Sequence, residues 1–243
     1  IMFSATMTEE VDALINSFFR FPEKIAIAIS GTPLDNISQE CYAVQNFYTK
    51  VNLLSDLIHD KEKYRKVLVF VSNKRSADRL FEALDEDFGN ELCVIHSNKT
   101  QNYRMRSIEQ FDKGVNRILV STDVMARGID LDRISHVINF DTPFYPENYM
   151  HRIGRTGRAE QKGNSLLFYT EKETAAKERI EELMDYSIPE NEFPDGIEIA
   201  QQLTPEERPR DAESYVPNQA IDERGPGFHE KKEKNKKVNL GGS

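Results

Sequence analysis

The residues with the clearest capacity for chemistry form an arginine cluster in the second half of the chain, the octet HRIGRTGR at residues 151–158. A guanidinium group donates hydrogen bonds in a planar fork that matches two phosphate oxygens, and glycines between arginines let a ligand approach the backbone. Pro146 is well placed to begin a helix, on which His151, Arg155 and Arg158 would share one face. The pattern indicates a phosphate-binding cluster, and its alternative is a solvated basic helix end.

A second segment with potential for chemistry is STDVMARGID at residues 121–130. It reads as a strand that ends in polar residues and continues into a glycine-containing turn. Open parallel α/β sheets bind ligands at such places. Thr122 and Asp123 could instead serve only to cap a helix.

The elements that position these residues follow a regular alternation between about residues 38 and 170, in which β-branched and aromatic runs separate longer amphipathic stretches. This rhythm predicts an α/β fold with a parallel sheet flanked by helices. Several runs are apolar throughout, as expected for strands covered on both faces. The predicted strands are 41–45, 67–71, 92–96, 117–121, 136–140 and 165–169.

The flanking segments differ from this central region. A helix at 9–18 and a strand at 24–30 are predicted to be the last elements of another domain, and a further helix is expected past residue 174. Proline, glycine and charge then dominate, which predicts disorder. The expected organisation is therefore the end of a first domain with a linker at 1–33, the main domain at 34–173, a C-terminal helix at 174–190 and a disordered tail at 191–243.

Composition narrows the class of protein. The chain has 243 residues and is 38% hydrophobic, which is enough to bury a core of ordinary size. No apolar run approaches the roughly 20 residues that a membrane span needs, and the first residues do not resemble a secretory signal. Cys41 and Cys93 lie in apolar runs, which is typical of buried free thiols in a reducing compartment. We expect a cytoplasmic protein without a membrane partner.

The net charge of −9 is unevenly distributed. Residues 34–173 carry 20 basic and 21 acidic side chains, whereas residues 174–229 carry 5 and 14. The acidity therefore lies mainly outside the central region. A nearly neutral domain can still present a basic face to nucleic acid.

The two segments with chemical potential resemble motifs of a known family. The octet at 151–158 is similar, residue for residue, to the sixth motif of DEAD-box RNA helicases, and residues 121–130 resemble the fifth. The triplet SAT at 4–6 matches the third motif, which in the family belongs to the first RecA-like domain. The resemblance covers roughly residues 1–190 and implies a RecA-like fold of the P-loop NTPase type, in its helicase C-terminal form.

Two further segments resemble the family with departures. Residues 96–104 follow its HGD…QxxR segment, but Ser97 and Asn98 stand where Gly and Asp are usual. Residues 70–75 resemble the fourth motif, with Asn73 where threonine is more common. An apolar strand followed by a helix-capping residue describes residues 70–75 equally well.

The resemblance implies a site shared between two RecA-like domains that close together on ATP and RNA. Arg155 and Arg158 become catalytic arginine fingers that also bind ATP, while Gly128 and Asp130 hold the ATP ribose. Arginine fingers stabilise charge in the transition state of phosphoryl transfer. The RNA-binding residues implied by the family are Asn73, Gln101, Arg104 and Thr122. The residues implied to couple the two domains are Ser4, Thr6, His151 and Arg152.

Two family features are absent from the sequence. It contains neither a GxxxxGK[ST] loop nor a DEAD tetrapeptide. The cofactor is therefore expected to be ATP with Mg²⁺, the ligands of Mg²⁺ belonging to a missing N-terminal RecA-like domain. We expect this chain alone to be inactive and the intact protein to be an ATP-dependent RNA helicase that grips RNA backbone without sequence specificity. The short C-terminal extension favours a bacterial RhlE-like member.

Two other functions remain open from the sequence. The chain could be a non-enzymatic RNA-binding or partner-binding module that uses the same face. It could also be half of a DNA helicase or translocase from the wider superfamily. His151 and Arg152 at the start of the octet disfavour the latter, because relatives outside the DEAD-box group usually carry glutamine there.

Overall fold

A computed structural model of the chain describes residues 9–19, 23, 36–123, 131, 133–157 and 162–208. The strands in this part are β1 (Ile37–Ala43), β2 (Val67–Val71), β3 (Leu92–Ile95), β4 (Ile118–Thr122), β5 (His136–Asn139) and β6 (Gly163–Tyr169). The helices are α1 (Glu9–Phe18), α2 (Phe47–His59), α3 (Lys74–Phe88), α4 (Gln101–Asp112), α5 (Pro146–Ile153) and α6 (Thr174–Met184). Short 3₁₀ helices occupy Gly89–Glu91 and Glu171–Glu173.

The six strands form one sheet in the order β1-β6-β5-β2-β4-β3, and every neighbouring pair is parallel. Strands β2, β3 and β5 are buried along their whole length, which explains the continuous apolar sequences of β2 and β3. The predicted α/β fold with a parallel sheet is confirmed. All six predicted strands are present, with ends that differ from the prediction by a few residues.

Alternate side chains of the strands enter separate cores on the two faces of the sheet. Val69 of β2 packs with Leu54 of α2 and Leu80 of α3 on one face. Leu68, its neighbour, packs with Phe111 of α4 on the other. A third cluster joins α5 and α6 to β1 and β6. The helices are thus held against the sheet by apolar contacts on both of its faces.

Three of these helices begin just past the carboxyl end of a strand, each with a polar cap. Asn46, Asn73 and Thr100 accept hydrogen bonds from backbone N–H groups of the first turns of α2, α3 and α4. Such caps satisfy donors that a helix start otherwise leaves without partners. The carboxyl edge of the sheet therefore carries polar side chains for a structural reason as well as for any functional one.

Residues 191–206 differ from the expectation of disorder. Phe193 and Ile197 pack against the core, and Asn46 Nδ2 donates to the carbonyl of Ala200 at 2.6 Å. The backbone N–H of Ala200 returns a hydrogen bond to Thr49 Oγ1 at 3.0 Å. A few apolar anchors are enough to hold this polar segment on the domain. The chain divides into compact units at 1–206 and 207–243, and of the second only Glu207 and Arg208 are described.

The N-terminal expectations are tested only in part. The predicted helix at 9–18 is present as α1, but the strand expected at 24–30 lies outside the described residues. Both cysteines are buried and free, as predicted, and burial raises the pKa of the Cys41 thiol to about 11 and that of Cys93 to about 12. None of the described helices is long and apolar enough to span a membrane.

Candidate functional site

The centre of the carboxyl edge is a buried arginine. Arg152, in the last turn of α5, donates from Nε and Nη2 to the two carboxylate oxygens of Asp123 at 2.6 and 2.9 Å. Its Nη1 donates to the carbonyl of Asp141 at 2.7 Å and to Asn139 Oδ1 at 3.2 Å. The guanidinium lies 5.1 Å from the ring centre of Phe70. One side chain therefore joins the ends of β2, β4 and β5 to α5.

The hydrogen bonds of Arg152 with Asp123, Asn139 and Asp141 are called the arginine network below. Their geometry indicates that Arg152 positions the segments around it. The Arg152 side chain is only 2% exposed, and its paired fork geometry with Asp123 is the strong, directional form of a charge-assisted hydrogen bond. Loss of either partner would leave a buried charge without compensation. Asp123, which directly follows β4, and the last turn of α5 are accordingly held together.

A second ion-pair network lies beside the first. Ser72 donates its backbone N–H to Asp141 Oδ2 at 2.8 Å. The buried ammonium of Lys50 lies 2.7 Å from Glu173 Oε2 and 3.8 Å from Asp141 Oδ1. Glu173 also accepts the backbone N–H of Thr142 at 3.0 Å. Three charged side chains from three different segments thus fix the loops that follow β2 and β5.

Asn73, predicted to bind RNA, serves as the N-cap of α3. Its Oδ1 accepts hydrogen bonds from the backbone N–H groups of Arg75 and Ser76 at 2.9 and 3.0 Å, and its Nδ2 donates to Ser72 Oγ at 3.0 Å. The capping interpretation of residues 70–75 is confirmed. Asn73 is exposed, so the cap leaves its side chain accessible to solvent.

Gln101 and Arg104 lie in the first turn of α4. Gln101 is exposed, and Arg104 is half-buried. The Nε of Arg104 is buried and makes no hydrogen bond within the described part of the chain. A buried donor without a partner is uncommon and costs free energy, so it is a natural point of attachment for an oxygen of a ligand.

The turn after β3, where the sequence departs from the family pattern, is tied to α3. The backbone N–H of Asn98 donates to Nδ1 of buried His96 at 3.3 Å, which assigns the ring proton to Nε2. Nε2 then donates to Asp78 Oδ1 at 2.8 Å, and Lys99 pairs with the same oxygen at 2.9 Å. Burial opposes ionisation of Asp78, but the hydrogen bonds from Lys99 and His96 prevail and lower its pKa.

Asp78 is a residue that the sequence interpretation missed. It lies on α3, 18 residues from His96 in the chain, within an amphipathic helix most of whose other charged residues are exposed. No local spacing pattern signals such a pair. Only the packing of α3 beside β3 brings the carboxylate to the imidazole.

Thr122 ends β4 and is half-buried beside Asp123, so it lies next to the arginine network. The predicted ribose residues Gly128 and Asp130 lie outside the described residues, as do Ser4, Thr6 and Arg158. The structure therefore brings Thr122, Asp123 and Arg152 together and leaves those five predictions untested.

The prediction that His151, Arg155 and Arg158 share a helix face is wrong for Arg155. Pro146 does begin α5, but the helix ends at Ile153 with Gly154 as its C-cap. The backbone then turns, and Gly157 adopts a φ of +67° that disfavours other residues. A Cβ at Gly157 would also come within 2.7 Å of Ile37. Half-buried Arg155 thus lies in a turn, directed by backbone conformation and not by helical periodicity.

Comparisons with known proteins agree with this architecture. A family model described as the helicase conserved C-terminal domain matches residues 49–160. The DEAD-box ATP-dependent RNA helicase CshA of Bacillus cereus is 39% identical over 181 residues, which cover 74% of this chain and 34% of that protein. The chain spans between 31% and 47% of the length of the curated relatives that it matches.

Solved structures extend the likeness to three dimensions. The C-terminal domain of the DEAD-box protein Dbp5 is 30% identical, with 65% of this chain and 91% of that chain covered and a TM-score of 0.58. S. cerevisiae Dbp5 bound to RNA and ADP BeF3 is 27% identical, with 77% and 50% covered and a TM-score of 0.70. The parallel sheet, the family model and these likenesses agree, and the chain belongs to the DEAD-box family, with the RecA-like helicase C-terminal domain of that family.

Proposed function

We propose that this chain is the C-terminal half of an ATP-dependent RNA helicase, which binds RNA backbone and supplies arginine fingers for ATP hydrolysis and local duplex unwinding. The observation that carries the proposal is the bidentate Arg152–Asp123 pair. It joins the segment that contains Thr122 to the helix that leads to Arg155. Two regions proposed to bind different ligands are therefore mechanically linked within one domain.

Hydrolysis in this proposal takes place between two domains. Arg155 and Arg158 stabilise the charge on the transferring phosphoryl group, while Gly128 and Asp130 hold the ribose. Within the described ranges no group of three or more His, Cys, Asp or Glu side chains could hold a metal ion. The proposal assigns the ligands of Mg²⁺, together with the phosphate loop, to an N-terminal RecA-like domain.

RNA binding is assigned to Asn73, Gln101, Arg104 and Thr122. The buried Nε of Arg104, which lacks a hydrogen bond within the described residues, supports a contact with a phosphate oxygen. A related structure, S. cerevisiae Dbp5, has been solved bound to RNA and ADP BeF3. Contacts of this type recognise the backbone, so affinity should depend on salt and little on base sequence.

Coupling between the two domains is assigned to Ser4, Thr6, His151 and Arg152. Because the Arg152 guanidinium is occupied within this domain, we assign it an indirect role, in which it fixes the position of Asp123 and the turn at Arg155. Membership of an RhlE-like subgroup and a cytoplasmic location are further parts of the proposal, and the sequence considerations given above are their support.

The proposal is tested in a protein restored to full length. Arg155→Ala and Arg158→Ala should each lower kcat for RNA-stimulated ATP hydrolysis by about a hundredfold or more, with RNA affinity in the absence of nucleotide unchanged. Arg104→Ala is the matched comparison. It should weaken RNA binding evenly across sequences and reduce the log–log salt slope by up to about one unit.

The outcomes separate the functions that the sequence left open. If Arg155→Ala lowered RNA affinity as much as Arg104→Ala and left kcat unchanged, the chain would be a binding module without arginine fingers. If DNA stimulated ATP hydrolysis as strongly as RNA, the protein would be a DNA translocase. RNA-stimulated hydrolysis by the present chain alone would contradict the assignment of the phosphate loop to another domain.

A further inference from the structure

A cavity of about 630 Å³ lies at the amino ends of the strands, on the edge of the sheet opposite the arginine network. Lys66 directly precedes β2 and Arg117 directly precedes β4. His136 begins β5, and Asn164 lies at the start of β6. The cavity is thus built on the rigid sheet, and it shares no residue with the proposed ATP and RNA sites.

Three of the cations around the cavity have acidic partners. Lys66 lies 3.3 Å from Asp112, and Lys113 lies 2.5 Å from Glu109. Arg117 pairs with Glu91 and donates to the carbonyls of Tyr64 and Ile58 at 3.0 and 2.8 Å. These side chains shape the wall, and their charges are largely compensated.

Four other cations lining the cavity are Lys63, Arg65, Arg133 and Lys162. All four are exposed, and within the described part of the chain none of them pairs with a carboxylate. Asp112, already paired with Lys66, is the one acidic residue among the lining residues. A concave surface with one sign of excess charge concentrates the electric field and attracts counter-ions.

A buried imidazole forms part of the cavity wall. His136 is buried, and burial, followed by the charges of Lys63 and Arg65, lowers its pKa to about 4. Its ring packs against that of Tyr64 with centres 4.2 Å apart and planes inclined by 38°, and its Nδ1 lies 3.1 Å from Ser135 Oγ. The imidazole is therefore neutral at physiological pH and adds a polar wall without a charge.

We propose that this cavity binds a compact compound that carries several phosphate groups, of the oligophosphate class. Arginine and lysine match phosphate oxygens through charge-assisted hydrogen bonds, and four uncompensated cations favour more than one phosphate. The cavity has the volume typical of small-molecule sites. Such a ligand is additional to the ATP and RNA of the proposed helicase reaction and approaches the domain from the other side.

Titration of the intact chain with inorganic tripolyphosphate, followed by calorimetry, tests the proposal. We expect one site per chain, at least about tenfold tighter than for orthophosphate, with an affinity that falls as salt rises. The imidazole proton resonances of His136 should shift with the same saturation curve, because His136 lines the cavity. These measurements do not depend on ATP hydrolysis, so their failure leaves the helicase proposal unaffected.

Two double variants locate the site. Arg65→Ala with Lys162→Ala should lower the affinity for tripolyphosphate by at least about tenfold, since each removes a charge-assisted contact. Arg106→Ala with Lys172→Ala removes the same residue types from exposed positions outside the cavity and should leave the affinity unchanged. The charge-conserving pair Arg65→Lys with Lys162→Arg should retain binding within a few-fold.

Three results would overturn the proposal. Equal losses in the two alanine pairs would show diffuse attraction with no defined site. Binding of orthophosphate as tight as that of tripolyphosphate would contradict a ligand with several phosphates. If single-stranded RNA displaced tripolyphosphate and also lost affinity in the Arg65 and Lys162 variant, the cavity would be a second RNA contact and not a small-molecule site.

Discussion

Charged side chains are paired at the carboxyl edge of the parallel sheet, whereas exposed cations at its amino edge have no carboxylate partner within the described residues. At the carboxyl edge, buried Arg152 and Lys50 pair with carboxylates, and His96 contacts Asp78. At the amino edge, exposed cations such as Arg65 and Lys162 have no carboxylate partner within the described residues. The paired charges at the carboxyl edge fix the positions of neighbouring loops. The unpaired charges at the amino edge create a positive electrostatic field.

This difference separates two uses of arginine and lysine within one domain. A buried, bidentate arginine is too constrained to reach for a ligand, but it can hold neighbouring loops in place. An exposed cation contributes little to stability and remains available to an anion. Substitutions of the buried, paired cations Arg152 and Lys50 should therefore act first on folding, and substitutions of the exposed cations Arg65 and Lys162 first on binding.

The largest effect on stability is expected from Arg152→Ala, which leaves Asp123 partly buried without its partner. The free energy of unfolding should fall by about 3–5 kcal/mol, measured by urea denaturation. Arg106→Ala, a change at an exposed arginine, is the control and should alter it by less than about 0.5 kcal/mol. If Arg152→Ala does not fold, Arg152→Lys should still show a clear loss, because lysine keeps the charge and not the fork. Equal stability of the Arg152 and Arg106 variants would contradict the positioning role.

An intermediate effect on the free energy of unfolding is expected from protonation of His136, at the amino edge, as the pH falls. The pKa of His136 is lowered to about 4 in the folded state, from an ordinary value near 6.5. Between these values the unfolded chain binds a proton that the folded chain does not, so stability falls as pH falls from about 6.5 to about 4. The loss should be about 3 kcal/mol. His136→Gln should remove this dependence of the free energy of unfolding on pH, measured by urea denaturation at a series of pH values. An unchanged dependence would contradict a buried, neutral imidazole.

The smallest effect on stability is expected from substitution of Asn73, which is both the N-cap of α3 and a residue proposed to contact RNA. Asn73→Ala should lower the free energy of unfolding by about 1 kcal/mol, while Asn73→Asp should retain the cap. Asn46→Ala should cost more than Asn73→Ala, because Asn46 also bonds Ala200.

RNA binding by the same Asn73 variants distinguishes the two roles. In the full-length protein, Asn73→Asp should weaken RNA binding if the side chain lies beside a phosphate, since it adds a negative charge without loss of the cap. Unchanged RNA affinity for Asn73→Asp would leave Asn73 as a cap alone.

Local patterns were sufficient for most of the elements. Apolar runs located β2 at 67–71, and helical periodicity located α1 at 9–18, because residues adjacent in sequence decide both. Pro146 marked the start of α5 through its fixed backbone angle. The motifs also predicted the family, since their chemistry is carried by contiguous residues.

Contacts between segments that are distant in sequence could not be predicted from local patterns. The helical pattern through 151–158 did not reveal that the backbone turns after Ile153, and the polar composition of 191–206 concealed the anchors Phe193 and Ile197. Both outcomes depend on surfaces supplied by other parts of the chain. Secondary-structure propensity predicts local conformation poorly where tertiary packing favours a different one.

The sequence by itself determined the type of fold, the helix caps and the residues that carry the family motifs, since each depends on neighbours along the chain. Only the tertiary structure decided that Arg152 is occupied by Asp123 and that cations as far apart as Lys63 and Lys162 line one cavity. The physical reason is the parallel sheet. Its crossovers bring together strand ends that lie far apart in sequence, and no periodicity along the chain records which ends will meet.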